Sequence, residues 1–276
     1  MLDRTFCALR RNSIRLSFQK GAADQGLSHF GGVPDVPEGF EWPCFNTDSI
    51  DEPSGDVSPR PLAFLAQFDC EELAKYDREN LLPHTGVLSF FYSIESNRWG
   101  FDPEDFGCSR VYWFGNAEEL RPAQLPEGLS EAYRFPSLKI EMTAKDSWPD
   151  YDDLPQGVDA DDYEEFFEEQ NMDEEETISK LLGWPNVIQS AMAEECELVT
   201  QGFYLGGSED KIPPKIRREA SRNANEKWLL LFQLDTMTDD DFELMFGDDG
   251  RLYFWIRKED LASRRFDRVW LVLQCY

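Results

Sequence analysis

The chain has 276 residues, and its 55 Asp and Glu against 27 Lys and Arg give a formal charge of −28 at pH 7. A content of 41% hydrophobic and 14% aromatic residues is enough to form a core, which excludes global disorder. The negative charge repels phosphates and anionic lipids, so we expect no nucleic acid and no membrane as partner, and favour a basic protein. Because the sequence contains neither an apolar stretch of roughly 18 residues nor an export signal, we expect a cytoplasmic protein.

The first half of the chain contains apolar segments that predict neighbouring β-strands. Ile14, Leu16 and Phe18 alternate with polar residues, as in a half-buried strand. The segments that follow are 31–34 (Gly-Gly-Val-Pro), 62–69, 86–91 and 110–113. They are rich in aromatic and branched residues and are separated by turn signals, which is typical of strands.

An acidic segment follows at residues 146–179, with 15 acidic residues and no Lys or Arg. Within it, Tyr163, Phe166 and Phe167 recur at the spacing of one helical face, and Asp159 and Asp162 are placed as a capping pair. We predict an amphipathic helix whose aromatic stripe packs on the rest of the protein. The residues expected on its solvent side are Asp161, Asp162, Glu164, Glu165, Glu168 and Glu169. They either bind a basic partner or only aid solubility.

The second half repeats the segments of the first half in the same order. Its segments are 182–185 (Leu-Gly-Trp-Pro), 228–235, 250–255 and 268–271. Asp69 precedes Gly86 by 17 residues, and Asp235 precedes Gly250 by 15, so spacing is kept as well as order. The sequence therefore indicates an internal repeat.

Matching polar residues end the corresponding strands: Gln67 and Asp69 in the first half, Gln233 and Asp235 in the second. One interpretation is structural, because such side chains cap turns and neighbouring backbone groups. The other is a ligand site in a cleft between the two lobes, where all four would converge. Burial and hydrogen bonding to the backbone would favour the structural role.

The string 28–34 (Ser-His-Phe-Gly-Gly-Val-Pro), Pro37, the pair Trp42-Pro43, the 67–69 strand end and the closing stretch 250–275 resemble the YwqG-like family of bacterial proteins. The resemblance implies a mostly β, duplicated roll-like fold with accessory helices. It also implies a family without established enzymatic activity, whose members recur near polymorphic toxin genes and are therefore associated with toxin immunity. It supplies no catalytic residues.

We therefore predict an α+β, predominantly β protein with a duplicated roll-like fold of two related lobes and accessory helices. The first lobe spans 1–145, the acidic helical insertion 146–179 and the second lobe 180–276. No catalytic set, cofactor motif or metal site is predicted, since the cysteines are scattered singly and the acidic run 239–241 lacks calcium-loop spacing.

These features favour a non-catalytic binding protein that neutralises a basic partner, as an immunity protein does with a bacterial toxin. The alternative is an enzyme or a small-ligand protein that uses the cleft between the lobes, and a purely structural scaffold is a third reading.

Overall fold

The structure, a computed structural model, describes residues 6–21, 25–48, 53–154, 157–170, 178–207, 212–239 and 242–276, without the side chains of 168–170. The strands are β1 (Arg11–Lys20), β2 (His29–Phe30), β3 (Asp35–Val36), β4 (Cys44–Thr47), β5 (Ser58–Pro61), β6 (Ala63–Asp69), β7 (Val87–Tyr92), β8 (Ser109–Phe114), β9 (Arg121–Pro122), β10 (Leu138–Ser147), β11 (Lys180–Leu182), β12 (Trp228–Asp235), β13 (Met237–Thr238), β14 (Glu243–Leu244), β15 (Arg251–Arg257) and β16 (Trp270–Gln274). The α-helices are α1 (Cys70–Leu73), α2 (Ala160–Gln170), α3 (Met192–Val199), α4 (Pro214–Lys227) and α5 (Lys258–Ala262).

Ten strands form one sheet in the order β16-β15-β12-β11-β1-β10-β2-β6-β7-β8. At its centre β1 pairs antiparallel with β10 along ten residues, from Arg11 opposite Ser147 to Lys20 opposite Leu138. The other edge of β1 pairs with β11, so the N-terminal strand joins the first half of the chain to the second. The sheet is thus continuous through both halves.

The sheet curls so that its two ends face each other. In a flat sheet β6 and β12 would lie about 24 Å apart, because four strands separate them. Instead the rings of Phe68 and Phe232 lie 5.4 Å apart, those of Phe90 and Phe232 4.7 Å, and those of Phe90 and Phe254 5.2 Å. These fully buried rings form the centre of the main core. The predicted α+β, predominantly β class is confirmed.

Local irregularities occur at matching places on the two sides of the central β1–β10 pair. The register of β6 against β7 shifts between Phe64 and Ala66, and that of β12 against β15 shifts between Leu230 and Phe232. Beyond each shift, Gln67 pairs with residue 89 and Gln233 with residue 253. Position 67 therefore corresponds to position 233.

Helices α3 and α4 cover the outer face of the sheet in the second half. They pack against β12, and Trp228 of β12 and Trp255 of β15 are almost fully buried there. Both faces of β12 and β15 are therefore covered, which explains why these strands are apolar along nearly their whole length. No helix within the described ranges has the length and apolar character needed to cross a bilayer.

Candidate functional site

The predicted acidic helix is present as α2 and begins with a side-chain cap. The Asp159 carboxylate oxygen Oδ1 accepts hydrogen bonds from the backbone N–H groups of Asp161 at 3.0 Å and Asp162 at 3.3 Å. Acidic residues in this first turn also interact favourably with the positive end of the helix dipole. The sequence therefore contains its own signal for where the helix begins.

An aromatic stripe holds α2 against the rest of the protein, as predicted. Tyr163 is fully buried, and its hydroxyl donates to the Pro149 carbonyl at 2.7 Å. Its ring lies edge-on to Phe6 at 5.3 Å, and Phe166 packs between Phe6 at 5.2 Å and Trp148 at 5.9 Å. The segments around residue 6 and at residues 148–149 thus fix the position of the helix.

The opposite side of α2 faces solvent. Asp161, Asp162, Glu164 and Glu165 are exposed, as predicted, while the side chains of Glu168 and Glu169 lie outside the described residues. The last turn of the helix carries no basic residue. Four carboxylates therefore form an exposed surface on a helix that aromatic contacts hold in place; Asp161, Asp162, Glu164 and Glu165 are called the acidic face below.

The glutamine of the first half is structural. Gln67 is fully buried; its Nε2 donates to the Leu27 carbonyl at 3.1 Å and to the Asp35 carboxylate at 2.8 Å. Its Oε1 accepts from the Asp35 backbone N–H at 2.8 Å. Gln67 thus fastens the ends of the 27–35 loop to strand β6.

The glutamine of the second half has the same hydrogen bonds. Gln233 is fully buried and donates to the Ile178 carbonyl at 2.8 Å and the Asn186 side-chain oxygen at 3.1 Å. Its Oε1 accepts from the Asn186 backbone N–H at 2.9 Å. The loop 178–186 is therefore fastened to β12 as the loop 27–35 is fastened to β6.

The two aspartates also have local partners. The backbone N–H of Asp69 donates to the Ser28 hydroxyl at 3.0 Å, and that of Asp235 to the Ser179 hydroxyl at 3.0 Å. The Asp69 carboxylate caps α1, whereas the Asp235 carboxylate accepts from Arg251 Nε at 2.8 Å. Burial raises the pKa of Asp235, and the charge of Arg251 opposes this effect.

The structure does not bring these four side chains together in a cleft. Side chains alternate along a strand, and Phe68 and Phe232, the neighbours of Gln67 and Gln233, contact each other in the core. The two glutamines therefore project away from that core on opposite outer faces. The four residues that the sequence suggested for a cleft site thus serve the loops of their own halves.

Sequence reasoning missed a hollow of about 510 Å³ between the two halves. It lies where residues 79–81 of the first half approach α5 of the second half. This "cationic hollow" is lined by Arg11, Glu79, Leu182, Lys258, Leu261 and Arg264, among others. No pattern in the sequence could have found it, because its charged residues come from three separate segments, around residues 11, 79 and 258–264.

Arg11 lies at the base of the cationic hollow. Its guanidinium carbon is 3.4 Å from the centre of the Trp184 ring, and its Nη2 donates to the Asn225 carbonyl at 3.0 Å. Its Nη1 is buried without a hydrogen-bond partner in the described part of the chain. Burial lowers the pKa of Arg11 to about 10, against the opposing charges of Asp153 and Glu79.

Two further cations complete the hollow. Burial, followed by the charge of Arg11, lowers the pKa of Lys258, although Glu226 and Glu79 oppose the shift. Arg264 donates to the carbonyls of residues 81 and 82, at 2.6 and 3.1 Å, and so ties the first half to the second. Glu79 contributes the opposite charge, and its Oε1 accepts the backbone N–H of residue 12 at 2.8 Å.

No group of three potential metal ligands occurs within the ranges that the structure describes. The acidic run 239–241 falls partly outside them.

A family model described as a domain of unknown function, DUF1963, matches residues 28–275. No curated protein matches the chain. Because the family match covers both halves of the sheet and the segment between them, the chain belongs to the DUF1963 family.

Proposed function

We propose that this protein is a non-catalytic, cytoplasmic binding protein that neutralises a basic partner through the acidic face of helix α2. The proposed role is that of an immunity protein for a bacterial toxin, within the YwqG-like group that the sequence resembles. The observation that carries the proposal is the fixed position of α2, whose exposed carboxylates stand opposite a buried aromatic stripe.

The geometry of α2 suits recognition by charge. A helix that is free to move loses conformational entropy when it binds, whereas Tyr163 and Phe166 already hold α2 in place. Four carboxylates on one face attract a basic surface, accelerate encounter and repel acidic proteins. A nuclease or another toxin with a basic cleft has the complementary charge.

We also propose that the fold arose by internal duplication. In support, the hydrogen bonds of Gln67 recur at Gln233, and the Ser28 contact of Asp69 recurs between Ser179 and Asp235. The register shifts of β6 and β12 also match. In this proposal the acidic segment, which has no counterpart in the repeat, was added to the duplicated scaffold.

The test is affinity capture from the native cell at low salt, with two baits that have lost the same charge. One bait carries Asp161→Asn, Asp162→Asn, Glu164→Gln and Glu165→Gln. The matched control neutralises four exposed carboxylates of the first half, with Glu104→Gln, Glu118→Gln, Glu127→Gln and Glu131→Gln.

We expect the wild type and the control to retain a stoichiometric basic protein that added salt releases, and the α2 variant to lose it. The purified partner should then bind the wild-type protein with an affinity that falls as ionic strength rises. Equal retention by the α2 variant and the wild type would contradict the proposal.

A further inference from the structure

We propose that the cationic hollow between the two halves binds a small organic anion with an aliphatic body, such as a medium-chain carboxylate. The proposal is independent of the acidic face of α2. It rests on the charge of the hollow, its apolar wall, its strained backbone and a comparison with a related hollow in the same molecule.

The charge of the hollow has the opposite sign to that of the whole protein. Arg11, Lys258 and Arg264 contribute three positive charges to its lining, and Glu79 contributes one negative charge. Lys258 forms no ion pair with the described residues, and Nη1 of Arg11 has no hydrogen-bond partner there. In a chain of net charge −28, this local surplus of positive charge in the lining favours an anionic ligand.

The neighbouring carboxylates offset part of this charge, since Asp153 and Glu79 act on Arg11, and Glu226 and Glu79 act on Lys258. Asp153 and Glu226 belong to an adjacent hollow, of about 530 Å³, that also contains Arg11 and Lys258. Glu79 is held at the rim by the backbone N–H of residue 12. None of these carboxylates forms an ion pair with Lys258, so its ammonium group can still pair with an anion in the cationic hollow.

Most of the remaining lining is apolar, although it includes Asn12 and Asn80. Leu182, Leu229, Leu230 and Leu261 line the hollow, and each belongs to the buried core. A volume of about 510 Å³ lies within the usual range for small-ligand sites. An inorganic anion would leave the apolar wall uncovered, whereas an aliphatic chain with a carboxylate head matches both parts.

Backbone strain is concentrated at the same place. Asn80, Leu182 and Arg264 have φ values of 55°, 58° and 58°, in the left-handed region that Asn tolerates but Leu and Arg disfavour, and all three line the hollow. Strain of this kind tends to gather at ligand sites.

The counterpart of Leu182 in the first half is Gly31, with a nearly identical φ of 60°. Ser28 lies three residues before Gly31, and Ser179 three residues before Leu182. Each serine hydroxyl accepts the backbone N–H of the aspartate at the end of the neighbouring strand, so the two positions correspond. A Cβ at Gly31 would lie 2.2 Å from the Pro136 carbonyl oxygen, so only glycine fits there. At position 182 a leucine keeps the strained backbone and places its side chain in the wall of the hollow.

The first half provides an internal comparison. A hollow of about 420 Å³ between Ile94 and Met245 occupies the related position there, and no Lys or Arg lines it within the described ranges. Residue 89 pairs with Gln67 in the sheet, and residue 253 pairs with Gln233. Ile94 and Lys258 each lie five residues after these partners and therefore correspond. The cationic lining is thus peculiar to one of two related hollows, as expected of a specialised site.

The experiment measures binding of octanoate to the full-length protein by isothermal titration calorimetry at low ionic strength. Octanol serves as the uncharged analogue. Lys258→Met removes one charge from an exposed side chain, so the variant should fold, and Lys258→Arg keeps the charge. Arg268→Met is the matched control, because Arg268 is a similarly exposed cation outside this hollow.

We expect saturable binding of one octanoate per chain, weakened about tenfold or more by Lys258→Met and little changed by Lys258→Arg or Arg268→Met. Octanol should bind much more weakly than octanoate. The proposal is overturned if octanoate shows no saturable binding, if Lys258→Met binds it as the wild type does, or if octanol binds equally well.

Discussion

Replacement of the two buried glutamines by methionine tests whether corresponding positions in the two halves contribute equally to the free energy of unfolding. Methionine has nearly the shape of glutamine but cannot replace its hydrogen bonds. In Gln67→Met, the Asp35 backbone N–H and the Leu27 carbonyl lose their partner. The Asp35 carboxylate keeps the backbone N–H of Gly26, at 2.7 Å.

The same number of groups is left unpaired in Gln233→Met. The Asn186 backbone N–H and the Ile178 carbonyl lose their partner, whereas the Asn186 side-chain oxygen keeps Lys180 Nζ at 2.6 Å. The backbone N–H left without a partner costs roughly 1–3 kcal/mol, and the lost bond to the carbonyl, which is only partly buried, costs roughly 0.5–1.5 kcal/mol. The expected loss in the free energy of unfolding is therefore about 3 kcal/mol for each variant.

The assay is urea unfolding followed by tryptophan fluorescence, with the exposed Gln124→Met as the control. We expect losses of about 3 kcal/mol at both buried positions and less than about 0.5 kcal/mol at the control. A loss below about 1 kcal/mol at either buried position would refute the structural role assigned to that glutamine.

Three further predictions concern single side chains. Burial raises the pKa of Glu195 to about 7 from an ordinary 4.5, so between these pH values the folded state keeps a proton that the unfolded chain has lost, and stability falls as the pH rises. Glu195→Gln should remove this loss and gain roughly 2 kcal/mol on the wild type between pH 5 and pH 8 in urea unfolding. Tyr163→Ala should expose the backbone of α2 to hydrogen–deuterium exchange while β12 stays protected, and Tyr163→Phe, which loses only the hydroxyl, should leave α2 largely protected. At Leu182, whose φ is 58°, glycine should be more stable than alanine by about 1 kcal/mol in thermal unfolding, whereas at the neighbouring Leu181 alanine should be the more stable.

Each of these predictions has a result that contradicts it. A pH-independent difference between Glu195→Gln and the wild type would mean that this carboxyl titrates normally in the folded protein. Uniform loss of protection in Tyr163→Ala would mean that α2 is part of the main cooperative unit. An alanine at position 182 more stable than a glycine would mean that its backbone is not left-handed in solution.

Local patterns predicted the elements of this fold well. The aromatic spacing of Tyr163, Phe166 and Phe167 gave the helix and its buried side, and the repeated apolar runs gave β6, β7, β12 and β15. These predictions succeeded because helix and strand periodicities are properties of neighbouring residues. The corresponding ends of β6 and β12 were also found from sequence, but the direction of Gln67 and Gln233 relative to each other depends on how the sheet curls.

The cationic hollow shows what local patterns cannot predict. Neither Arg11 nor Lys258 belongs to any motif that the sequence analysis identified. They become neighbours because β1 enters the sheet beside β11 while α5 follows β15 on the same side. Such proximity is set by the order of strands, and one sequence contains no direct record of that order.

The comparison between the halves separates residues that maintain the fold from those that distinguish one half from the other. Where both halves need the same hydrogen bonds, the residue type is kept, as at Gln67 and Gln233. Where they differ, at Gly31 against Leu182 and Ile94 against Lys258, the second half has the larger or charged side chain. Both substitutions face one hollow, and one of them keeps an unfavourable backbone conformation. The first half forms the same scaffold without a leucine or a lysine at these two positions. The occurrence of both residues at the cationic hollow therefore argues that they were selected for binding and not for folding.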